Sequence, residues 1–323
     1  MSTDVTVTAA HPTPAGPPPA DGAIVVRHRS SRPLDVALTL APLARGPWDP
    51  AFRRTPDDAV WRTSLLASGP VTQRVVQDGA RCAVVQLWGP GAREAADAVP
   101  ALLGEDDDAT GFAPPPQVRD AHRRAVGMRM PRTGRVMESL VPSVLEQRVQ
   151  TVTAHRAWRW LLQRHGTPAP GPAPAGMRVV PSARAWAAVP VWDWHRAGVD
   201  PGRARTVTAC ARVAGRLEEA TTMAPVEARA RLEKVPGVGV WTSAEVAQRA
   251  FGDPDAVSVG DFHLAAAVGW ALTGERTDDA GMLRLLAPYA PHRHRVVRLL
   301  SLRGHPRAPG RGPRLPVPDY RAF

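Results

Sequence analysis

The sequence predicts an α+β protein in which a small β-rich unit over residues 23–116 precedes an all-helical unit over residues 117–300. Three observations support the division. Two β-rich runs, 71–76 and 80–88, flank Gln77-Asp78-Gly79. Met137, Leu140, Val141, Val144 and Leu145 recur at the i, i+3, i+4, i+7, i+8 spacing of one helix face. An acidic, turn-rich run, Glu105-Asp106-Asp107-Asp108, and Pro114-Pro115-Pro116 separate the two patterns.

In chain order, residues 1–22 are rich in Pro, Ala and Thr and are expected to form a mobile tail, because they lack the apolar content to fold. Val36, Leu38 and Leu40 alternate with Ala37 and Thr39, which predicts a strand. Asp-Gly at 78–79 predicts a hairpin whose two central residues take positive φ. Residues 91–103 read as a short helix. In the second unit, helices are expected at 137–145, 154–164, 182–188, 201–220 and 225–234, with a Pro/Gly-rich loop at 167–176. A final helix is expected over 284–300, broken or started near Pro288 to Pro291. Residues 301–323 are basic and proline-rich and are read as an extended tail. No internal repeat is visible.

A chain of 323 residues can bury one large core or two modest ones. No run of about 18 apolar residues is present, so no membrane span and no membrane partner are expected. Met1-Ser2-Thr3-Asp4 begins no basic-then-apolar leader, which points to the cytoplasm. Two cysteines, Cys82 and Cys210, exclude a disulfide framework, a four-thiolate zinc site and a four-cysteine iron–sulfur cluster. His292-Arg293-His294 is a poor metal site because an arginine stands between the imidazoles, so no metal is expected. Formal charge is +11, and Lys234 is the only lysine. Arg and Ala enrichment matches a GC-rich coding bias, yet the excess positive charge itself favours a polyanionic partner.

The most informative stretch is Leu232-Glu233-Lys234-Val235-Pro236-Gly237-Val238-Gly239-Val240-Trp241-Thr242. A helix ends near Lys234, Val235-Pro236-Gly237-Val238-Gly239 turns, and a second helix starts near Trp241. Glycine there permits positive φ and close backbone approach, and N–H groups at the new helix N-terminus attract anions. A phosphate-binding hairpin and a plain helix–helix turn are the two readings of this pattern. Asp261, in Val257-Ser258-Val259-Gly260-Asp261-Phe262-His263, lies 22 residues beyond Gly239 and precedes an apolar helix ending near Gly274. A helix N-cap is the structural reading of that aspartate, and an N-cap is compatible with a chemical role.

Together, Leu-x-x-Val-Pro-Gly-Val-Gly and the downstream Val-x-Asp-x-His resemble the helix–hairpin–helix DNA glycosylases, and most closely 3-methyladenine DNA glycosylase II. The resemblance covers roughly residues 25–300 and is strongest over 225–270. It implies an N-terminal domain like half of the TATA-box-binding protein, followed by the helical catalytic domain. Asp261 would be the catalytic carboxylate, Trp241 and His263 would wall the base pocket, and residues 235–239 would hold DNA phosphate. Gln147-Arg148 stands where the family inserts a side chain into the DNA stack; a surface arginine is the other reading of Arg148, and core packing that of Trp241. Bifunctional members carry a Schiff-base lysine two residues after the last hairpin glycine; here that residue is Trp241, which implies a monofunctional hydrolase. Arg293 and Arg295 are candidate phosphate contacts. One of Trp158, Trp160, Trp192 and Trp194 is a candidate stacking platform, against the usual core role of tryptophans at helical spacing.

The expected activity is excision of a damaged, alkylated base from double-stranded DNA in base excision repair, by a monomer at the nucleoid. No cofactor is expected, with a monovalent cation at the hairpin left open. A non-catalytic DNA-binding protein and a glycosylase for an oxidised or deaminated base are the rival readings.

Overall fold

The computed structural model of the protein describes residues 22–302; residues 1–21 and 303–323, which hold nearly all of the two predicted tails, lie outside the described residues. The N-terminal part runs β1 (Ile24–Arg29), α1 (Val36–Leu40), β2 (Phe52–Arg54), β3 (Val60–Leu66), β4 (Gly69–Gln77), β5 (Cys82–Trp88) and α2 (Ala92–Leu102). Its five strands form one antiparallel sheet in the order β1-β5-β4-β3-β2. Val75 pairs with Val60 on one side and Val85 on the other, and this row packs with Val99 and Leu102 of α2. The opposite face carries Trp61 stacked on Trp88, ring centroids 5.6 Å apart, against Met177 from the helical part. Covering both faces explains why β3 is buried almost throughout rather than at alternate residues.

Residues 36–40 are helical, not the expected strand. Asp35 Oδ1 accepts the Leu38 N–H at 2.8 Å and caps the turn, and Val36, Thr39 and Leu40 are buried at i, i+3, i+4. Five residues are too few to distinguish a period of 2 from one of 3.6, and the cap decided the matter. The β4–β5 hairpin is present, but its connection is longer than a two-residue turn. Only Gly79 takes positive φ, +80°, while the Asp78 N–H donates to Cys82 O at 2.8 Å.

The remaining chain is helical: α3 (Arg119–Arg124), α4 (Val136–Leu145), α5 (Thr151–His165), two-residue strands β6 (Thr167–Pro168) and β7 (Arg178–Val179), α6 (Ala183–Ala187), α7 (Val191–Arg196), α8 (Pro201–Arg212), α9 (Ala214–Glu218), α10 (Pro225–Leu232), α11 (Val240–Val246), α12 (Leu264–Thr273), α13 (Asp279–Leu286) and α14 (Arg293–Leu302). The helix expected over 201–220 breaks at Val213, where the backbone leaves the helical region (φ −114°, ψ 17°). The last expected helix is two, α13 and α14, parted at the proline-bearing segment. The β6–β7 pair closes the ends of the expected loop. No described helix is long and apolar enough to cross a membrane.

Two cores organise these helices. In the first, α4, α5, α6, α7, α8, α10 and α11 enclose Leu140, Leu161, Val207, Leu232 and Val246. Trp158, Trp186 and Trp194 form a stacked file inside it, centroids 6.3 and 6.0 Å apart. Trp158 and Trp194 are therefore core and not stacking platforms; Trp192, 64% exposed, faces outward. In the second core, α3 packs on α12, α13 and α14 around Val118, Met282, Leu286, Val296 and Leu299. The chain crosses from the first core to the second between α11 and α12, and that crossing carries Asp261.

The acidic run at 105–108 is not a solvated linker. Glu105 pairs with Arg129 at 2.8 Å, and Asp107 is buried against the guanidinium of Arg295 while accepting the Met130 N–H at 3.0 Å. Arg293 is held by Asp255 through both its backbone and side-chain N–H groups. The buried Arg295 guanidinium is taken up by Asp107 and does not face outward as the phosphate-contact expectation needs, whereas Arg293 pairs with Asp255 while 30% of its side chain stays exposed. Asp107→Asn leaves the Arg295 cation buried without its counter-charge and should cost about 3 kcal/mol. Urea unfolding at neutral pH checks this.

Candidate functional site at the hairpin and the Asp261 turn

The site is built on α10, the turn after it and α11. Leu232 ends α10 inside the core, and the Val235 N–H donates back to Leu232 O at 3.1 Å. Val235 and Val238 are buried, whereas Pro236, Gly237, Gly239 and Val240 are exposed. Alternation of apolar anchors and small exposed residues presents the backbone of the turn to solvent. The two glycines do different work. Gly237 has φ +91°, and a Cβ there would lie 2.1 Å from Thr206 Oγ1 on α8. Gly239 is extended (φ −108°, ψ −175°), and a Cβ there would meet nothing within 4 Å. No side chain caps α11, so its first N–H groups have no side-chain acceptor.

Gln147 and Arg148 follow α4, and Gln147 lies against this turn. Gln147 Nε2 donates to Gly237 O at 2.9 Å and to Thr242 Oγ1 at 2.8 Å. Its amide braces the hairpin from behind. Arg148 is exposed and has φ +54°, one of two described non-glycine residues with positive φ, the other being Asp58. Within the predicted pair, only Arg148 is presented outward. Behind the loop, Arg45 of the N-terminal part reaches Glu146 at 3.2 Å, and His155 lies 3.4 Å from the same carboxylate. Burial alone would raise the Glu146 carboxyl, but Arg45, with His155, holds it at about 2.

Asp261 sits at the end of a tight turn. Its N–H donates to Ser258 O at 3.2 Å, and Gly260 before it has φ +88°. Asp261 Oδ1 accepts the N–H groups of His263 and Leu264 at 2.8 and 2.9 Å and so ties its turn to the first residue of α12, but the N-cap position is His263, two residues beyond the aspartate the sequence predicts. Asp261 Oδ2 accepts Trp241 Nε1 at 3.2 Å. Trp241 is half-buried, so the indole is neither free in solvent nor part of the closed core. His263 is exposed, with its ring edge-on to Phe262 at 4.7 Å; Phe262 is 82% exposed. The fold thus gathers Trp241 and Asp261 into contact, with the hairpin turn immediately before Trp241 and Gln147 bonded to that turn. His263 shares the turn of Asp261 but points its ring outward.

Several contributors carry no motif. Glu245 and Gln248 follow Trp241 on α11 and its wider continuation at Ala247–Phe251, and both reach Ser258. Their i+4 and i+7 spacing from Trp241 was the available signal; nothing in sequence marked Ser258. A polar cavity lined by Arg45, Asp49, Arg62, Trp158 and Arg249 lies between sheet and helices and includes neither Trp241 nor Asp261. Among the described residues no cluster of His, Cys, Asp and Glu is arranged to hold a metal ion.

No family model matches the chain. Over 156 residues it is 32% identical to a probable bifunctional transcriptional activator/DNA repair enzyme AlkA of Mycobacterium tuberculosis. That stretch is 47% of this chain and 30% of the relative, so the match spans less than a third of the relative's length. Among solved structures, the chain is similar to a 3-methyladenine DNA glycosylase from Archaeoglobus fulgidus, with TM-score 0.70 and 17% identity, covering 86% of this chain and 98% of that one. It is also similar to the 8-oxoguanine glycosylase/lyase of Clostridium acetobutylicum, with TM-score 0.66 and 12% identity, covering 86% and 95%. Similarity that runs across nearly the whole of both structures, joined to the hairpin and the Asp261 turn, gives this chain the fold of the helix–hairpin–helix DNA glycosylases.

Proposed function

We propose that the protein is a monofunctional DNA glycosylase that excises damaged bases, alkylated and of the 3-methyladenine type, from double-stranded DNA in base excision repair. The observation that carries the reading is the contact between Trp241 and Asp261 directly after an exposed glycine turn. A carboxylate, an aromatic wall and a phosphate-binding backbone are what base excision needs in one place. The N-terminal sheet and its helices are read with it as the half of a TATA-box-binding-protein-like fold. The protein is expected to act as a monomer at the nucleoid.

In this reading the turn 235–239 and the uncapped start of α11 bind a DNA phosphate through backbone N–H groups. Arg148 enters the stack left by the extruded nucleotide, and Gln147 fixes the base of that loop on the hairpin. Flipping costs a few kcal/mol and costs least where pairing is already weakened. The damaged base lies on Trp241, whose π face favours a base made cationic by alkylation. Asp261 faces C1′. As the C1′–N bond breaks, its electron pair leaves with the base and positive charge builds on the sugar. The carboxylate stabilises that charge and takes the proton of the water whose oxygen bonds to C1′.

Gly237 and Gly239 separate folding from binding. Gly237→Ala should lower stability by about 1–3 kcal/mol, because the positive φ and Thr206 both oppose a side chain. Gly239→Ala should leave stability unchanged and weaken affinity for any duplex. Urea unfolding and salt-titrated duplex binding report the two effects; unchanged affinity in Gly239→Ala at every salt concentration removes the hairpin from the interface.

Asp261→Asn keeps an acceptor for the N–H groups of His263 and Leu264 and should fold and bind duplex like the parent while releasing no base. Mass analysis of bases freed from methylated genomic DNA is the measurement, and full release by this variant would rule out the carboxylate.

A lyase needs a neutral amine within bonding reach of C1′. Trp241 cannot supply one, and arginine stays protonated. Lys234 is exposed and lies before the turn. Borohydride reduction during turnover of damaged duplex should therefore trap no protein–DNA adduct. An adduct lost in Lys234→Ala would overturn the monofunctional assignment.

A further inference from the structure

We infer that Glu245 and Gln248, acting through Ser258, are positioning residues that set where the Asp261 carboxylate stands relative to Trp241. The inference rests on the glycosylase reading for its chemistry and on the following contacts for its geometry.

The turn that carries Asp261 spans two cores, and α11 grips it at two points. At its end, Trp241 donates to Asp261 Oδ2. Three residues earlier, Ser258 is buried, with its hydroxyl between two side chains from the same helix run. Gln248 Nε2 donates to Ser258 Oγ at 2.9 Å and to Ala256 O at 3.0 Å, and Ser258 Oγ donates to Glu245. Glu245 is in turn fixed by Arg249 at 2.8 Å, and Arg249 Nε donates to Pro42 O of the N-terminal part at 2.8 Å. Gln248 and Arg249 lie in the π turn Ala247–Phe251. The extra residue in such a turn re-aims the side chains it contains relative to a regular helix, and such turns are rare.

Burying an amide, a carboxylate and a hydroxyl here costs more than apolar packing would, and the neighbours Val257 and Val259 show that apolar residues are accommodated in this segment. What the polar trio supplies is direction. The N–H groups of His263 and Leu264 hold the carboxylate to α12, while Trp241 and the Ser258 linkage, beside the apolar packing of Ala256 on Ala244 and Ala247, register it against α11, where the base would lie. Rate depends steeply on such registration: a displacement of about 1 Å can cost about 100-fold. Loosening the linkage should therefore slow the chemical step while leaving the phosphate-binding turn, on the other end of α11, in place.

The test compares wild type with Ser258→Ala and with the near-isosteric Gln248→Met, in the full chain. Three quantities are measured: the single-turnover rate of base release at saturating enzyme, affinity for undamaged duplex, and hydrogen exchange of residues 256–264 beside that of 235–241. Both variants should release base about 10–100-fold more slowly with duplex affinity within about twofold. Exchange should rise in 256–264 and stay unchanged in 235–241. Wild-type rate and wild-type exchange in both variants would overturn the inference while leaving the glycosylase reading intact. Loss of folding or of duplex binding in both would assign the trio to stability alone and overturn it as well. If wild type itself releases no base but exchange rises selectively in 256–264, the glycosylase reading fails and the positioning of Asp261 by Ser258 stands.

Discussion

Burial of Leu232, Val235 and Val238 is the constraint on which the site depends. These three side chains dip into the first helical core, and the residues between them have nowhere to go but outward. Once the valines are seated, the carbonyl of Gly237 is available to Gln147, the start of α11 is exposed, and Trp241 leaves the turn on the face that meets Asp261. Apolar burial of this kind is not directional by itself. It acquires direction because Gly237 alone can pass Thr206 at the required φ.

The charge of the chain reads differently once it is folded. The formal excess of +11 invites the picture of a uniformly basic surface. Yet Arg45, Arg62, Arg74, Arg129, Arg203 and Arg295 are buried and engaged with carboxylates, carbonyls or amide oxygens. Arg45 and Glu146 illustrate the effect, since a pair that holds a buried carboxyl at about 2 is locked to its partner and contributes little field outside. Such pairs also knit the sheet to the helices: Arg45, Arg62 and Arg249 each cross that seam. Arginine suits the task because its planar fork meets several acceptors at once. Each such ion pair removes one cation and one anion together, so the net excess of +11 rests on the cations outside these pairs, and the exposed Arg148 stands in no described ion pair.

Much of the organisation was legible without coordinates. Long periodic segments such as α4 and α5, and the β4–β5 pair, have enough residues to reveal their period, and the Pro-Gly-Val-Gly turn announces itself because glycine and proline restrict or free the backbone locally. Short elements were not legible. Residues 36–40 satisfy both periods, and the Asp35 cap resolved them. The break of the 201–220 helix at Val213 has only Gly215, two residues further on, as a local signal, and a glycine inside a helical pattern does not by itself fix a break; α7 is too short for its period to emerge. Trp158 and Trp194 could have faced DNA or core on spacing alone; their stacking with Trp186, 28 residues from Trp158 and eight from Trp194, is a tertiary fact.

For the site, sequence by itself determined residue type and local backbone: an aspartate just before a helix, a tryptophan two residues after Gly239, and a turn in which Gly237 takes a positive φ. Those properties act over a few positions. Tertiary structure alone decided which groups converge. Gln147 turned out to brace the hairpin, leaving Arg148 to face outward; Arg293 and Arg295 were taken up by Asp255 and Asp107; and Ser258 became the link between α11 and Asp261. Each of these pairings joins residues 10 to 188 positions apart. Hydrogen bonds and ion pairs at such separations exist only after apolar packing has brought the chain segments together, so no local pattern could encode them.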